Sequence, residues 1–169
     1  MKVKVKDGKK KKEFDFINSW EDVTLEKWVA MTEFKKGTKS EEAQNTISLL
    51  SNMPKELIKK LELSDVAVIM SAIAKLQREQ KKGLKRIIEV EGKRYGFHPD
   101  LDNITLGEYA DIETYIKLGL EKHLPEIMAI LYRPILEEKG SLYKIESYDG
   151  DIKMRAEEMK KMSAEEVQN

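Results

Sequence analysis

Apolar residues recur at helical spacing in the middle of the chain, directly after Thr105 and Glu108. These two residues form a Ser/Thr-x-x-Glu capping box, which marks a helix start at Leu106. The apolar positions that follow are Tyr109, Ile112, Ile116 and Leu120, with Leu106 and Tyr115 widening the same stripe. This period predicts a helix with one face buried in the core.

A second apolar run follows, from Glu126 to Tyr132. Pro125 opens it, because proline is tolerated in the first turn of a helix, where its missing N–H would have no partner. Pro134 is expected to end the helix, and a polar loop is expected from there to Gly140. The two helices together predict a packed apolar centre.

Helical periods also dominate the first half of the chain. One predicted helix runs from a cap at Thr24 to a stop at Gly37, and the next begins at Ser40. Pro54 starts a short helix, and Ser64 with Asp65 starts a longer one. Their short connections predict helices packed side by side in a bundle.

Strand periods are confined to short stretches. Apolar and lysine residues alternate over 1–6, residues 85–97 flank a turn at Glu91-Gly92, and residues 142–148 alternate again. The sequence therefore predicts an α+β fold that is predominantly α-helical: a helical bundle with a small β-hairpin near 85–97 and short edge strands. The predicted organisation is a basic strand or arm over 1–18 and a single mainly helical domain over 19–169.

Composition narrows the class of protein. Charged residues make up 37% of the 169 positions, and 31 basic residues balance 31 acidic ones. A net charge of zero does not indicate bulk attraction to nucleic acid or membrane. The absence of cysteine excludes disulfides and thiol chemistry and is compatible with a reducing cytoplasm. No apolar run reaches the length of a membrane span or of a signal peptide.

Basic charge is nevertheless concentrated in two places. The first twelve residues hold seven lysines and one aspartate, a net charge of +6. The run of Lys9, Lys10, Lys11 and Lys12 is interpreted either as a phosphate-contacting arm or as a solvated loop beside an edge strand. Residues 75–94 hold eight bases and three acids, a net charge of +5. That region predicts either a patch for a nucleic acid or acidic protein, or the charged outer face of a hairpin.

The motifs of common enzymes are absent from the sequence. It has no phosphate-binding glycine loop and no nucleophile elbow. His98 and His123 have no carboxylate at a repeated metal-ligand spacing, and the acidic pairs lack the calcium-loop pattern. An enzymatic activity, a metal site and a cofactor are therefore not expected.

Arg133 is the most informative single residue, because it places a planar donor at the end of the most apolar helix. It could bond the last helix carbonyls, pair with Glu146 or Asp149, or stack on Tyr143 or Tyr148. Two roles remain open, a buried structural arginine and a contact to a neighbouring subunit.

Four stretches of sequence carry a resemblance: MAILYRPI, the later YKIESYDGDI with its methionine-bearing charged helix, SWEDVTLEKW and ITLGEYADIETYI. Over most of Ser19 to Ser163 the chain resembles small proteins encoded among the virion and tail-assembly genes of tailed bacteriophages, particularly those of the Bacteroidetes and crAss-like kind. None of these stretches is a catalytic motif. The resemblance implies a non-enzymatic virion or assembly role, either as a permanent subunit or as a tail-assembly chaperone. It also implies a further helical stretch beyond the capping box at Ser163 and Glu166.

The resulting hypothesis is a structural or assembly protein of a tailed phage, located in the virion or in the host cytoplasm during assembly. Its expected partners are other phage structural proteins or further copies of itself, with no membrane. The residues predicted to form the interface are Tyr132, Arg133, Tyr143, Tyr148, Lys9, Lys10, Lys11 and Lys12. The alternative is a small nucleic-acid-binding protein that uses the basic region 81–94.

Overall fold

The computed structural model describes residues 2–7, 10–80 and 82–168. The chain forms two compact units. Unit 1 comprises Met1–Val23 and Ala30–Lys81, and unit 2 comprises Thr24–Val29 and Lys82–Asn169. The boundary expected at Ser19 lies inside unit 1.

Unit 1 combines a two-stranded antiparallel sheet with helices. Its strands are β1 (Lys2–Asp7) and β2 (Lys10–Asp15), paired in register from Lys2 with Asp15 to Asp7 with Lys10. Its helices are the later part of α1 (Leu25–Phe34), α2 (Lys39–Leu50), α3 (Lys55–Ile58) and α4 (Leu63–Arg78). Lys10, Lys11 and Lys12, interpreted from the sequence as part of an arm or of a solvated loop, lie in β2.

Unit 2 is built on a four-stranded antiparallel sheet in the order β3-β4-β5-β6. The strands are β3 (Ile87–Val90), β4 (Lys93–Phe97), β5 (Tyr132–Lys139) and β6 (Leu142–Ile145). The predicted hairpin near 85–97 is confirmed as β3 and β4. Glu91 and Gly92 both have positive φ, 49° and 78°, which is the backbone that a tight hairpin turn requires.

The helices of unit 2 are α5 (Leu106–Gly119), α6 (Leu124–Leu131), α7 (Lys153–Met159) and α8 (Ala164–Val167). Its buried core joins side chains of the sheet to those of α6 and α7, among them Ile88, Tyr95, Tyr132, Ala129, Ile130, Ala156 and Met159. The start of α1 belongs to this unit because the N–H of Leu25 donates to the Met162 carbonyl at 2.7 Å.

The prediction of a predominantly helical bundle is wrong. In the described ranges the chain forms eight α-helices, 50% of its residues, together with two antiparallel sheets that hold 21%. The largest single error concerns β5, which occupies the segment expected to be a polar loop after Pro134. Pro134 lies where β5 meets the end of β6: its carbonyl accepts from the N–H of Glu146, the residue after β6, at 3.0 Å. A missing N–H costs little at the end of a ladder.

Candidate functional site

Arg133 lies inside unit 2, at the start of β5, with 3% of its surface exposed. Its Nη1 donates to Glu108 Oε1 at 2.7 Å. The partner is therefore neither Glu146 nor Asp149, the two acids expected from the sequence. The guanidinium carbon lies 5.7 Å from the ring centroid of Tyr148, so stacking on one of the two expected tyrosines is confirmed.

Glu108 reaches this arginine because it stands in the first turn of α5. The capping box is confirmed: Thr105 Oγ1 accepts from the Glu108 N–H at 3.2 Å, and Glu108 Oε2 accepts from the Thr105 N–H at 3.0 Å. The same Oε2 lies 3.2 Å from His98 Nε2. One carboxylate thus caps its own helix with one oxygen and binds strand β5 with the other.

The charge state of Glu108 follows from these contacts. Burial alone raises the pKa of this carboxyl group, but the Thr105 N–H, Arg133 and His98 together outweigh burial and lower the pKa below its ordinary value. Arg133 and Glu108 are consequently an ion pair whose side chains are only 4% and 3% exposed. The arrangement fixes α5 against the sheet, and both oxygens of the carboxylate are engaged.

Tyr148 adds a second tie between the segment after β6 and α5. Its hydroxyl donates to Asp111 Oδ2. Burial and this hydrogen bond to Asp111 raise the pKa of Tyr148, so the phenol remains protonated through the neutral range. With the guanidinium of Arg133 over its ring, the half-buried Tyr148 helps to position the inner side of α5.

Tyr132 is a core residue, 1% exposed. Its hydroxyl donates to the Lys85 carbonyl at 2.6 Å, and its ring meets the edge of Phe97 at 5.3 Å between centroids. Burial raises its pKa to about 12. The structure therefore places Tyr132, like Arg133, in the interior of unit 2, where neither side chain offers a surface to a partner.

Tyr143 is half-buried and lies over a glycine of the neighbouring part of the sheet. Its hydroxyl donates to the Phe97 carbonyl at 2.6 Å. A Cβ atom added at Gly96 would lie 2.6 Å from Tyr143 Cε2 and 2.9 Å from Ile145 Cγ2. Glycine at this position allows β6 side chains to pack directly on the backbone of β4.

Replacing Gly96 with alanine is therefore expected to lower the free energy of unfolding by about 1–3 kcal/mol, because the tyrosine ring or a strand must shift. Urea unfolding of both variants measures the change. Gly107→Ala is the matched control: it lies in α5 with no atom within 4 Å of the added Cβ, and alanine there is expected to stabilise the helix by about 0.5–1 kcal/mol. Equal effects at the two glycines would contradict the close contact at Gly96.

The predicted basic interface residues divide between described and undescribed positions. Lys9 and the side chain of Lys10 lie outside the described part of the chain, so nothing tests their role. Lys11 and Lys12 are exposed on β2. The predicted role of this lysine run in an interface stays a prediction.

Three bases of the region 81–94 are paired with acids of unit 2. Lys93 Nζ lies 2.7 Å from Glu158 Oε1, and Lys85 Nζ lies 3.5 Å from a carboxylate oxygen of Glu166. Arg94 is bidentate on Glu138, at 2.7 and 3.1 Å. These ion pairs favour the interpretation as a charged hairpin face, because a phosphate backbone would have to displace the carboxylates.

The outward side of α5 differs from the prediction, because it is exposed and not buried in the core. The helix turns Glu108, Ile112 and Tyr115 towards the interior of unit 2. Four large apolar residues that were expected in the core are instead exposed: Leu106 by 82%, Tyr109 by 55%, Ile116 by 50% and Leu120 by 50%. We call these four residues, with Glu113 between them, the α5 stripe.

A signal for this arrangement is present in the sequence. Apolar residues occupy more of the α5 circumference than one buried face needs, since Ile112 and Tyr115 already form such a face. The remaining positions within α5, 106, 109, 113 and 116, are separated by steps of three and four, within an arc of about 80°. Leu120 follows the last residue of the helix. The helical period therefore combines two apolar stripes, one buried and one exposed, which the prediction treats as a single buried face.

Two further properties of the described residues bear on function. Among residues 2–7, 10–80 and 82–168 there is no group of three or more His, Cys, Asp or Glu side chains placed to hold a metal ion. No helix in those ranges combines the length and the apolar character needed to cross a bilayer.

The chain was compared with protein-family models, with curated proteins and with solved structures, and none of the three comparisons gives a match.

Proposed function

We propose that this chain is a non-enzymatic structural or assembly protein of a tailed bacteriophage that acts through protein–protein packing, in the virion or in the host cytoplasm during assembly. The observation that carries the packing role is the α5 stripe, whose four apolar residues are 50–82% exposed. Grouped exposed apolar side chains are characteristic of docking surfaces. The phage context is supported by the resemblance of MAILYRPI, YKIESYDGDI and the two earlier stretches.

The inner side of α5 explains why such a surface can be presented in one orientation. Glu108 binds Arg133 at the start of the helix, and Asp111 accepts from Tyr148 one turn later. Polar contacts on its inner side thus fix the orientation of α5, and the side chains on its outer side need not pack in the core of unit 2. Burying these side chains on a partner would then add to the affinity, because no part of unit 2 would first have to rearrange.

The proposal is tested in the phage that encodes the chain, by mass spectrometry of purified particles and of assembly intermediates. Peptides of the chain in mature particles identify a permanent subunit, and peptides in intermediates alone identify an assembly chaperone. Absence from both contradicts the proposal.

A matched pair of substitutions links the phenotype to the α5 stripe. Phage carrying Ile116→Asp is expected to give at least about tenfold fewer particles, because a charge replaces an apolar contact at the centre of the surface. Met154→Asp, at a residue 81% exposed in the same unit, is expected to leave the yield unchanged. Equal yields from the two variants would show that the stripe is not the docking surface.

A further inference from the structure

The α5 stripe has the spacing of a helix–helix seam. Its positions within the helix, Leu106, Tyr109, Glu113 and Ile116, are separated by steps of three and four, the pattern that brings two helices together along one line. Leu120 follows directly after Gly119, the last residue of α5. A surface that binds a loop would not require apolar residues at this regular helical spacing. The spacing therefore favours another helix as the occupant.

The charges at the centre of the stripe are complementary under a twofold axis. Apolar residues stand at both ends, and the one acid, Glu113, stands near the middle beside the exposed Lys117. Turning a second α5 antiparallel to the first, about an axis between Glu113 and Ile116, brings Tyr109 towards the carboxyl end of the other α5, which Leu120 follows. It also places Glu113 opposite the turn that holds Ile116 and Lys117. Each acid then lies beside a base of the other copy.

A parallel pairing lacks this complementarity. It brings Glu113 against Glu113, and two like charges within a seam oppose association. The Glu113 carboxylate already lies 3.6 Å from Lys117 Nζ within one chain, with both side chains about half or more exposed. An antiparallel neighbour can share that exposed pair, so that four charges of alternating sign flank the twofold axis.

We propose that the α5 stripe docks on the α5 stripe of a second copy of this chain, antiparallel about an axis between Glu113 and Ile116. This inference rests on the proposed function, in which the stripe is a docking surface, and it names the partner. An isologous contact of this kind uses one surface twice, as closed dimers do.

The size of the surface sets the expected affinity. A helix of 14 residues is about 21 Å long, and the four apolar side chains together expose roughly 400 Å² of apolar surface. Two copies would bury on the order of 1,000 Å² with the flanking residues, which lies at the small end of specific interfaces. The dimer is accordingly expected to dissociate in the micromolar range.

Sedimentation velocity of the full chain between about 1 and 200 μM tests the inference, because that range spans micromolar dissociation constants. The wild-type weight-average mass should rise from monomer towards dimer. Glu113→Lys should raise the dissociation constant about tenfold or more, since two lysines then face each other on each side of the axis. Lys117→Glu should have the same effect for the opposite reason.

The charge-swapped double variant Glu113→Lys/Lys117→Glu is the decisive arm, because it restores opposite charges and should restore association. The single substitutions alter one exposed i,i+4 pair of the monomer, and circular dichroism checks that the fold is kept. A wild-type chain that stays monomeric overturns the inference, and so does a double variant as weak as the singles. Glu113→Gln distinguishes the two orientations, because it should weaken an antiparallel dimer and strengthen a parallel one. Stronger association of the Glu113→Gln variant would therefore also overturn the inference.

Failure here is separable from failure of the proposed function. If the chain stays monomeric but phage carrying Ile116→Asp still loses particle yield, the stripe binds a different protein and only the self-association is refuted. If the chain dimerises but occurs in neither particles nor intermediates, the phage role is refuted and the self-association stands.

Discussion

Replacing Arg133 with methionine is expected to lower the free energy of unfolding of unit 2 by about 3–5 kcal/mol, because it leaves the Glu108 carboxylate buried without its counter-charge. The pair is 2.7 Å apart, and both side chains are almost fully buried. Methionine approximates the length of the arginine stem, so packing changes little. Since a small domain has about 5–15 kcal/mol of stability in total, the loss should be visible in any unfolding curve.

A double-mutant cycle separates the ion pair from packing. Glu108→Gln removes the partner charge but can keep the capping box, because glutamine serves at that position. Each single substitution leaves one buried charged group without its counter-charge, whereas the double variant Arg133→Met/Glu108→Gln leaves none. The double variant should therefore be more stable than the sum of the single losses predicts, by about 1–3 kcal/mol. Simple addition of the two losses would show that the two side chains do not interact in solution.

The measurement must report on unit 2 alone. Urea unfolding followed by fluorescence in a Trp20→Phe background does so, because the remaining tryptophan, Trp28, packs against the core of unit 2. Should Arg133→Met fail to fold, Arg133→Lys provides the weaker test, since lysine keeps the charge but lacks the planar fork.

Acidification gives an independent check on the same pair. The pKa of Glu108 is lowered below its ordinary value of 4.5 in the folded protein. Its contribution to stability is therefore complete above the pKa of the unfolded chain and is lost as the pH falls through the lower, folded-state pKa. Because Arg133 helps to lower that pKa, the Arg133→Met variant should lose less additional stability than the wild type below about pH 4.5.

Local sequence signals predict those parts of the fold that are decided within a few residues. The capping box at Thr105 and the turn at Glu91-Gly92 depend only on neighbours along the chain, and both are present. The start of α2 shows the limit of such signals. Thr38, rather than the predicted Ser40, accepts from the Glu41 N–H, because either hydroxyl can cap and the preceding backbone decides between them.

The features that the sequence did not give are set by partners far along the chain. Strand β5 exists because Tyr95 and Gly96 of β4 pair with Pro134 and Arg133, whereas Pro134 alone suggests only that a helix stops. The partner of Arg133 was missed for the same reason. Glu108 had a sufficient local role as a cap, and its second oxygen acquires a partner only when α5 and β5 pack together.

The orientation of α5 decides which apolar residues stabilise unit 2, and two isoleucines test it with the same substitution. Ile130→Ala in α6, at a residue 1% exposed, should lower the free energy of unfolding by about 2–5 kcal/mol through lost transfer energy and a cavity. Ile116→Ala in α5, at a residue 50% exposed, should change it by about 0.5 kcal/mol or less. Both variants should be unfolded in urea at protein concentrations below about 1 μM, so that association in the micromolar range does not contribute. An equal loss of unfolding free energy at Ile116 and Ile130 would show that Ile116 is part of the core. That result would contradict the α5 stripe as an exposed docking surface.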